Sequence, residues 1–451
     1  PLLREKLPPR YPIRRYPDIT HSLSCQYPVH EWDLAYAMTE SRETINPRPL
    51  AQTAIVRAYD ETAIGFITYS EGVNDDVNKI VWSELGWNPE AAPDDTLRRY
   101  SRYFLGPRYT DSFAQGLLAL ERNWVGPLLT NHGVETTLRQ FQAMEREASP
   151  QDLLNWRFQQ GLYRAYYDAY TRRRLAHETG LENEARDELR AARALGSLRA
   201  MERAERVLEK AVTDRVATPL RQRVFELAEA QFQSIRAQLD VERYKGIAVR
   251  RGANLANIDI PRNNRLWLND RFAAIREVED EKHRLAGIQE ILKWSSHGPG
   301  GFYDDLGRTT AQPHLVPGKT YEDDPQYFES PQMAFTCRPG YRLSWCDLAD
   351  GLYGYEVKLH YPRLDPEAEY RLRVTFSGSL GRENRPNIVR LTGDGQEIAE
   401  MAKPRPIAPV EIDIPAEMTR DGALTLGCTG VAGRGGPGRG CQIAEVWLMR
   451  K

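Results

Sequence analysis

TAIGFITYSEGVNDDVNKIVWSELGWNPE, residues Thr62–Glu90, is the stretch that decides the fold class. Ile64, Phe66 and Ile67 read as a short apolar strand, a polar turn carries Glu71 at its C-terminal end, and Asn74, Asp75 and Asp76 open an amphipathic helix. A carboxylate placed where a rigid strand gives way to an outward-facing loop is how a (β/α) barrel equips its C-terminal face for chemistry. Glu71 is therefore the leading candidate for a catalytic residue.

Working toward the N-terminus, RRYPDITHSLSCQYP supplies a second unit, with Tyr16 to Thr20 as strand and Asp18 and His21 near its end. The helix that follows, from about Trp32 to Arg42 and again from Leu50 to Tyr59, is interrupted at Asn46-Pro47 and Pro49, because proline removes a donor and clashes with the preceding turn. Two such units cannot close a barrel, which needs eight over about 250 residues. The expectation is that residues 1–93 are the last two β/α units of an incomplete TIM-type barrel, and that the chain, opening at Pro1 without Met, is the C-terminal part of a longer protein. A signal peptide would then lie ahead of Pro1, which leaves the compartment, export included, open.

Downstream the periodicity changes twice. Residues 94–296 are helical in pattern: Leu195, Leu198, Met201, Leu208 and Val212 recur at multiples of three and four, and Leu220, Val224, Leu227, Phe232, Ile235 and Leu239 repeat this after a break at Thr218-Pro219. This predicts a helical bundle, with its Arg- and Glu-rich runs as solvated faces. Trp156, Tyr163, Tyr166, Tyr167 and Tyr170 crowd one helix of it and read as core. Residues 297–330 form a Gly- and Pro-rich bridge containing HGPGGFYDDLG. From 331 to 451 the strings YEVKLHY, EYRLRVTFSG, NIVRLTGDG, VEIDIP, GALTLGC and CQIAEVWLM predict a C-terminal antiparallel β-sandwich of the carbohydrate-binding-module kind, with Asp394-Gly395 as a hairpin turn. The fold class is thus multidomain, α/β followed by α followed by β.

Composition excludes more than it selects. Lys and Arg number 61 against 63 Asp and Glu, a net charge of -2, so no global field draws the chain to nucleic acid or to an anionic membrane. No apolar run approaches the roughly 20 residues that span a bilayer. The five Cys are too scattered for a zinc motif; Cys337 with Cys346, or Cys428 with Cys441, can pair in an oxidising compartment, but buried thiols are the preferred reading. No metal or cofactor is expected, and the oligomeric state is open. GVAGRGGPGRGC, from Gly430 to Cys441, lacks the Lys-Ser/Thr ending of a phosphate loop and reads as a mobile edge loop.

EGVNDD at Glu71 to Asp76 followed by SELGWNPE at Ser83 to Glu90 resembles the end of the catalytic barrel in α-N-acetylglucosaminidases, glycoside hydrolase family 89. The order of barrel, helical bundle and sandwich is similar to that of the xylan α-glucuronidases of family 115. GPGGFYDDLG and GRGCQIAEVWL resemble large bacterial proteins and transfer no chemistry. The resemblance implies that Glu71 is a nucleophile in hydrolysis of poly- or oligosaccharide, so the implied partner is carbohydrate. The chain departs from the first family in its acidic residues after E-G.

Glycoside hydrolysis needs two carboxyl groups across one bond. With Glu71 as nucleophile or base, the acid is expected upstream of Pro1, and the chain alone is expected to hydrolyse nothing. Asp18 and His21 share the strand-end surface and are candidates to hold sugar hydroxyls or to orient Glu71. Tyr69 lies two residues before Glu71 on the same face of the strand and is placed to hydrogen-bond it. Asn74 as cap and Asp75 in the first turn suit the helix dipole, which leaves Asp76 as a further substrate-binding candidate. The alternative function is a non-catalytic carbohydrate-binding or scaffold protein.

Overall fold

The computed structural model describes residues 2–23, 25–382, 385–431 and 440–451, and within them the chain forms two compact units. One consists of Pro1–Arg174, Ala217–Ile260 and Thr320–Gln326; the other of Leu175–Val216, Pro261–Lys319 and Tyr327–Lys451. The division falls inside the helix Trp156–Arg190, which reads continuously through the boundary.

In the first unit, Arg14–Arg15 pairs in parallel with Gly65–Phe66, and the register continues to a bridge between Asp18 and Tyr69. The regular ladder lies just ahead of the expected Tyr16-to-Thr20 strand, within which only the Asp18 bridge pairs, because Pro17 has no N–H to give. Its carbonyl still accepts from the Tyr69 N–H at 2.7 Å, so the two chain paths stay together to their ends. The connection between them carries helices Leu34–Glu40 and Pro49–Tyr59, and helix Asp76–Trp87 follows. Asp33 caps the first of these through the Ala35 N–H, and Pro49 begins the second instead of breaking it. Among the described residues these two strands are the whole of the parallel sheet; a closed barrel is not formed by them. Ile64 and Ile67, apolar members of the expected strand, are 78% and 50% exposed. Phe66 instead packs edge-on against Trp82 with ring centroids 4.7 Å apart, and Gly86 permits this: a Cβ there would sit 2.7 Å from the Phe66 ring.

Helices Pro93–Phe104, Thr110–Asn123, Gly133–Glu147 and Thr218–Ile235 complete this unit with the first part of Trp156–Arg190. Tyr163, Tyr167 and Tyr170 are fully buried, as their spacing indicates. None of the described helices is long and apolar enough to cross a membrane.

The second unit combines helices with an antiparallel sandwich. Sheet one runs Gln396–Ala402, Ile388–Gly393, Ala423–Gly430, Val357–Pro362; sheet two runs Val410–Asp413, Tyr370–Phe376, Ile443–Arg450, Asp347–Asp350, Gln332–Phe335. Alternation makes the core: Val357, Leu359 and Tyr361 are buried while Lys358 and His360 are exposed, and the first three meet Leu372, Val374, Val446 and Leu448. The turn at Asp394 and Gly395 has positive φ at both residues, as a two-residue hairpin requires. The FYDD of the Gly-rich bridge is itself a strand, Phe302–Asp305, on Ile443–Arg450. Cys337 and Cys346 form a disulfide, against the thiol reading; Cys428 and Cys441 are buried free thiols, in keeping with it. Most of the GVAGRGGPGRGC loop lies outside the described residues.

Candidate active site

The two parallel paths end side by side, and their ends bring together Asp18, His21, Tyr69 and Glu71. His21 Nδ1 is hydrogen-bonded to Asp18, whose other oxygen accepts from the Thr20 N–H at 3.0 Å and the His21 N–H at 3.1 Å. The imidazole is thereby fixed, with Nε2 held 3.0 Å from Glu43 Oε1 and 3.7 Å from Glu71 Oε1. Tyr69 donates its hydroxyl to Glu71 Oε1, and its ring stacks on His21 at 5.7 Å and 19°. The cluster lies within the first unit.

Two members went unread in the sequence. Glu43 follows helix Leu34–Glu40, where Ser41 at φ 62° turns the chain back toward His21. Arg251 comes 180 residues after Glu71 and joins the two glutamates, Nε to Glu43 Oε2 at 2.8 Å and Nη2 to Glu71 Oε2 at 2.7 Å. The neighbouring Gly252 makes this approach possible: a Cβ there would lie 3.0 Å from the Glu43 carbonyl oxygen and 3.1 Å from Asn74 Nδ2. Neither residue stands in a motif. Glu43 announces itself only by lying in a loop between Asp18 and Glu71 in sequence.

Local backbone follows from buried polar groups. Gly72 takes φ 131° with open space where a Cβ would be, so the E-G pair is a conformational requirement. Asn74 does not cap the helix; its side chain donates to the Glu43 carbonyl at 2.8 Å. Nor does Asp75 serve only the dipole. It is buried, accepts from the Thr20 and Ser70 hydroxyls, and pairs with Lys79 at 3.0 Å, while Thr20 Oγ1 accepts from the Glu71 N–H at 3.0 Å. Asn78, also buried, donates to the carbonyls of Ile19 and Asn46 and accepts from the Arg48 N–H. These bonds lock three segments that would otherwise leave polar backbone unpaired. Asp76 is not brought into the cluster: it pairs with Arg157 at 2.8 Å and accepts from Tyr100 at 2.8 Å.

The electrostatics split the two glutamates. Burial, reinforced by the facing Glu71 carboxylate, pushes Glu43 up to about 7, although His21 and Arg251 pull the other way. Burial also opposes the Glu71 charge, but hydrogen bonds from protonated Glu43 and from Tyr69, with the charges of Arg251 and His21, hold its pKa below the ordinary value. For Asp18 the donors of His21 and Thr20 likewise overcome burial and lower the pKa; for His21 the Asp18 partner overcomes burial and raises it. One proton is thus shared unequally, with Glu43 its holder and Glu71 ionised. His21 Nε2 and one oxygen from each glutamate also lie within 4.8 Å of one another, a donor set that suits a divalent cation. In this structure the cation facing both carboxylates is the Arg251 guanidinium.

No protein-family model matches the chain, and no curated protein does. Among solved structures it is distantly similar to a family GH115 4-O-methyl-α-glucuronidase with specificity for decorated arabinogalactans, at 12% identity over 97% of this chain and 51% of that one, with a TM-score of 0.23. The chain spans about half the length of that structure. An overlay of that quality gives no correspondence between residues.

Proposed function

We propose that this cluster hydrolyses glycosidic bonds of oligo- or polysaccharide, with Glu71 as the ionised carboxylate and Glu43 as the proton-bearing one. The observation that carries the reading is the pair itself: two carboxyl groups within 4.8 Å whose surroundings drive their pKa values apart. Environments that separate two neighbouring carboxyls assign the acid and the base. Glu43, protonated to about pH 7, gives its proton to the leaving oxygen, and Glu71 meets the anomeric carbon. In this proposal Glu43 takes the place of the acid expected upstream of Pro1. Asp18 and His21 position both carboxyls, and Tyr69 fixes the Glu71 rotamer.

A second reading is favoured by Arg251. It engages an oxygen of each glutamate, and a carboxylate pair closed by a guanidinium is also a stable recognition surface for sugar hydroxyls without turnover. Hydrolysis of an aryl glycoside panel by protein carrying this chain separates the two. Catalysis requires that Glu71→Gln lower kcat/KM by about a thousandfold or more, on the order of 4 kcal/mol, with little shift in Tm. Sugar binding without hydrolysis in the unaltered protein leaves the recognition reading standing.

A further inference from the structure

In the second unit a cleft of about 1100 Å³ is lined by one face of helix Glu281–Leu292 and the turn after it, where Lys282, Gln289, Lys293 and Trp294 contribute. Arg193 from the short helix Ala192–Leu195 and Arg373 from strand Tyr370–Phe376 complete its cationic lining. The chain as a whole is nearly neutral, yet here Lys282, Lys293, Arg193 and Arg373 face only two carboxylates, Glu281 and Glu290. Glu281 is already engaged: it accepts from the Ser197 N–H and hydroxyl and pairs with Arg284 at 2.9 Å. The cleft therefore carries uncompensated positive charge.

Arg373 is the decisive residue. Its guanidinium carbon lies 4.9 Å from the Trp447 ring centroid and 5.5 Å from that of Trp294, so stacking fixes its plane. Its Nε is buried with no hydrogen-bond partner, and among the described residues no carboxylate pairs with it. The buried carboxylate on the adjoining strand, Glu445, has been spent on other donors: Trp294 Nε1 at 3.0 Å, Tyr303 at 2.8 Å, Trp345 Nε1 at 2.8 Å and Arg342 at 3.6 Å. A guanidinium whose plane is set and whose acceptor is missing is preorganised for a carboxylate supplied by a ligand. Beside it, the half-buried Trp294 has its N–H satisfied and is held by Trp267, Trp345 and Trp447, which leaves its flat apolar surface as the feature it can offer.

We propose that this cleft binds an acidic oligosaccharide, with Arg373 and the flanking lysines holding its carboxylates and Trp294 stacking against a sugar ring. The choice of a saccharide over another polyanion rests on the carbohydrate reading of the first unit; the anionic character rests on the cleft alone. A cleft of this volume admits several sugar rings.

Calorimetric titration of the full chain tests this with three probes: a galacturonic acid hexamer, a neutral galactose hexamer and a poly-glutamate peptide. The acidic hexamer should bind, more weakly as salt rises, and the neutral one at least about tenfold more weakly. Lys282→Ala with Lys293→Ala, both exposed, should reduce affinity several-fold, and Arg373→Lys, which keeps the charge but loses the planar fork, by about tenfold. Glu71→Gln should leave this affinity unchanged, so that failure of the hydrolytic reading and failure of the cleft are told apart. Absence of binding, equal binding of the neutral hexamer, equal affinity for poly-glutamate, or loss of binding on Glu71→Gln would each overturn the proposal.

Discussion

Each unit holds an Asp–His pair that is largely buried, and these two behave in opposite ways. In the sandwich unit Asp304 is fully buried; His314 Nδ1 lies 3.0 Å from it, the His314 N–H donates at 3.1 Å and Tyr361 donates at 3.1 Å. Burial still dominates and raises the Asp304 pKa. At the strand ends Asp18 has donors of the same kind, and there they win over burial. The larger contrast lies beyond the imidazole. His314 is flanked by the rings of Phe302 and Tyr361, whereas His21 Nε2 faces Glu43 and Glu71. An Asp–His pair is therefore not distinctive by itself; what differs at His21 is the pair of glutamates on its far side.

The widest separation between these regions is between rate and stability. Glu71→Gln should cost catalysis its factor of about a thousand while sparing the fold, as argued above. Glu445→Gln should do the reverse, destabilising by about 3 kcal/mol in urea titration because Arg342 and three neutral donors lose a buried anion, with hydrolysis unaffected. Equal losses of rate and stability for both substitutions would erase the distinction. Asp75→Asn should lie between, at about 1–2 kcal/mol by thermal melting, since it joins Thr20, Ser70 and Lys79 beneath Glu71; a change within error would mean that these bonds are replaced by water.

Acidity sharpens the same contrast. Glu43 is raised from 4.5 to about 7 and His21 above 6.5, so both take up protons more readily folded than unfolded. The stability they contribute is complete below the unfolded values and lost as pH rises, between 4.5 and about 7 for Glu43 and above 6.5 for His21. Asp18 and Glu71, with lowered values, contribute above their unfolded pKa and lose that share in acid. Tm should fall as pH rises from 5 to 7, and Glu43→Gln should flatten that segment; an unchanged slope would show that Glu43 does not hold the proton. The smallest effect expected is for Arg251→Met. Because Arg251 is 43% exposed, stability should change by under about 1 kcal/mol, while the acid limb of the pH–rate profile moves upward as Glu71 loses its cation. A limb that stays in place would assign the lowering of Glu71 to Glu43, Tyr69 and His21.

The residues Asp18, His21, Tyr69 and Glu71 were legible as a group because each lies within a few positions of a strand end, and parallel pairing of two such strands aligns their ends. The sandwich strands were legible for a similar reason: alternation and a Asp394-Gly395 turn are written within eight residues or so. Asn74 and Asp75 were misread for the opposite reason. Their sequence context matches a helix cap, but Glu43 and Thr20, distant in sequence, offered buried partners whose loss costs more than an exposed cap contributes.

By itself, then, the sequence determined the local elements and the residues riding on them, because backbone propensity and apolar spacing act over one or two turns of chain. The tertiary structure alone decided which charges would meet. Glu43 and Arg251 reach Glu71 from either side of it in the chain, Arg251 across 180 positions, through a turn at Ser41 and a close approach at Gly252. No pattern of neighbours encodes that convergence, since it follows from the packing of whole helices. The same packing sets Glu43 and Glu71 against Arg42 and Arg251 around His21.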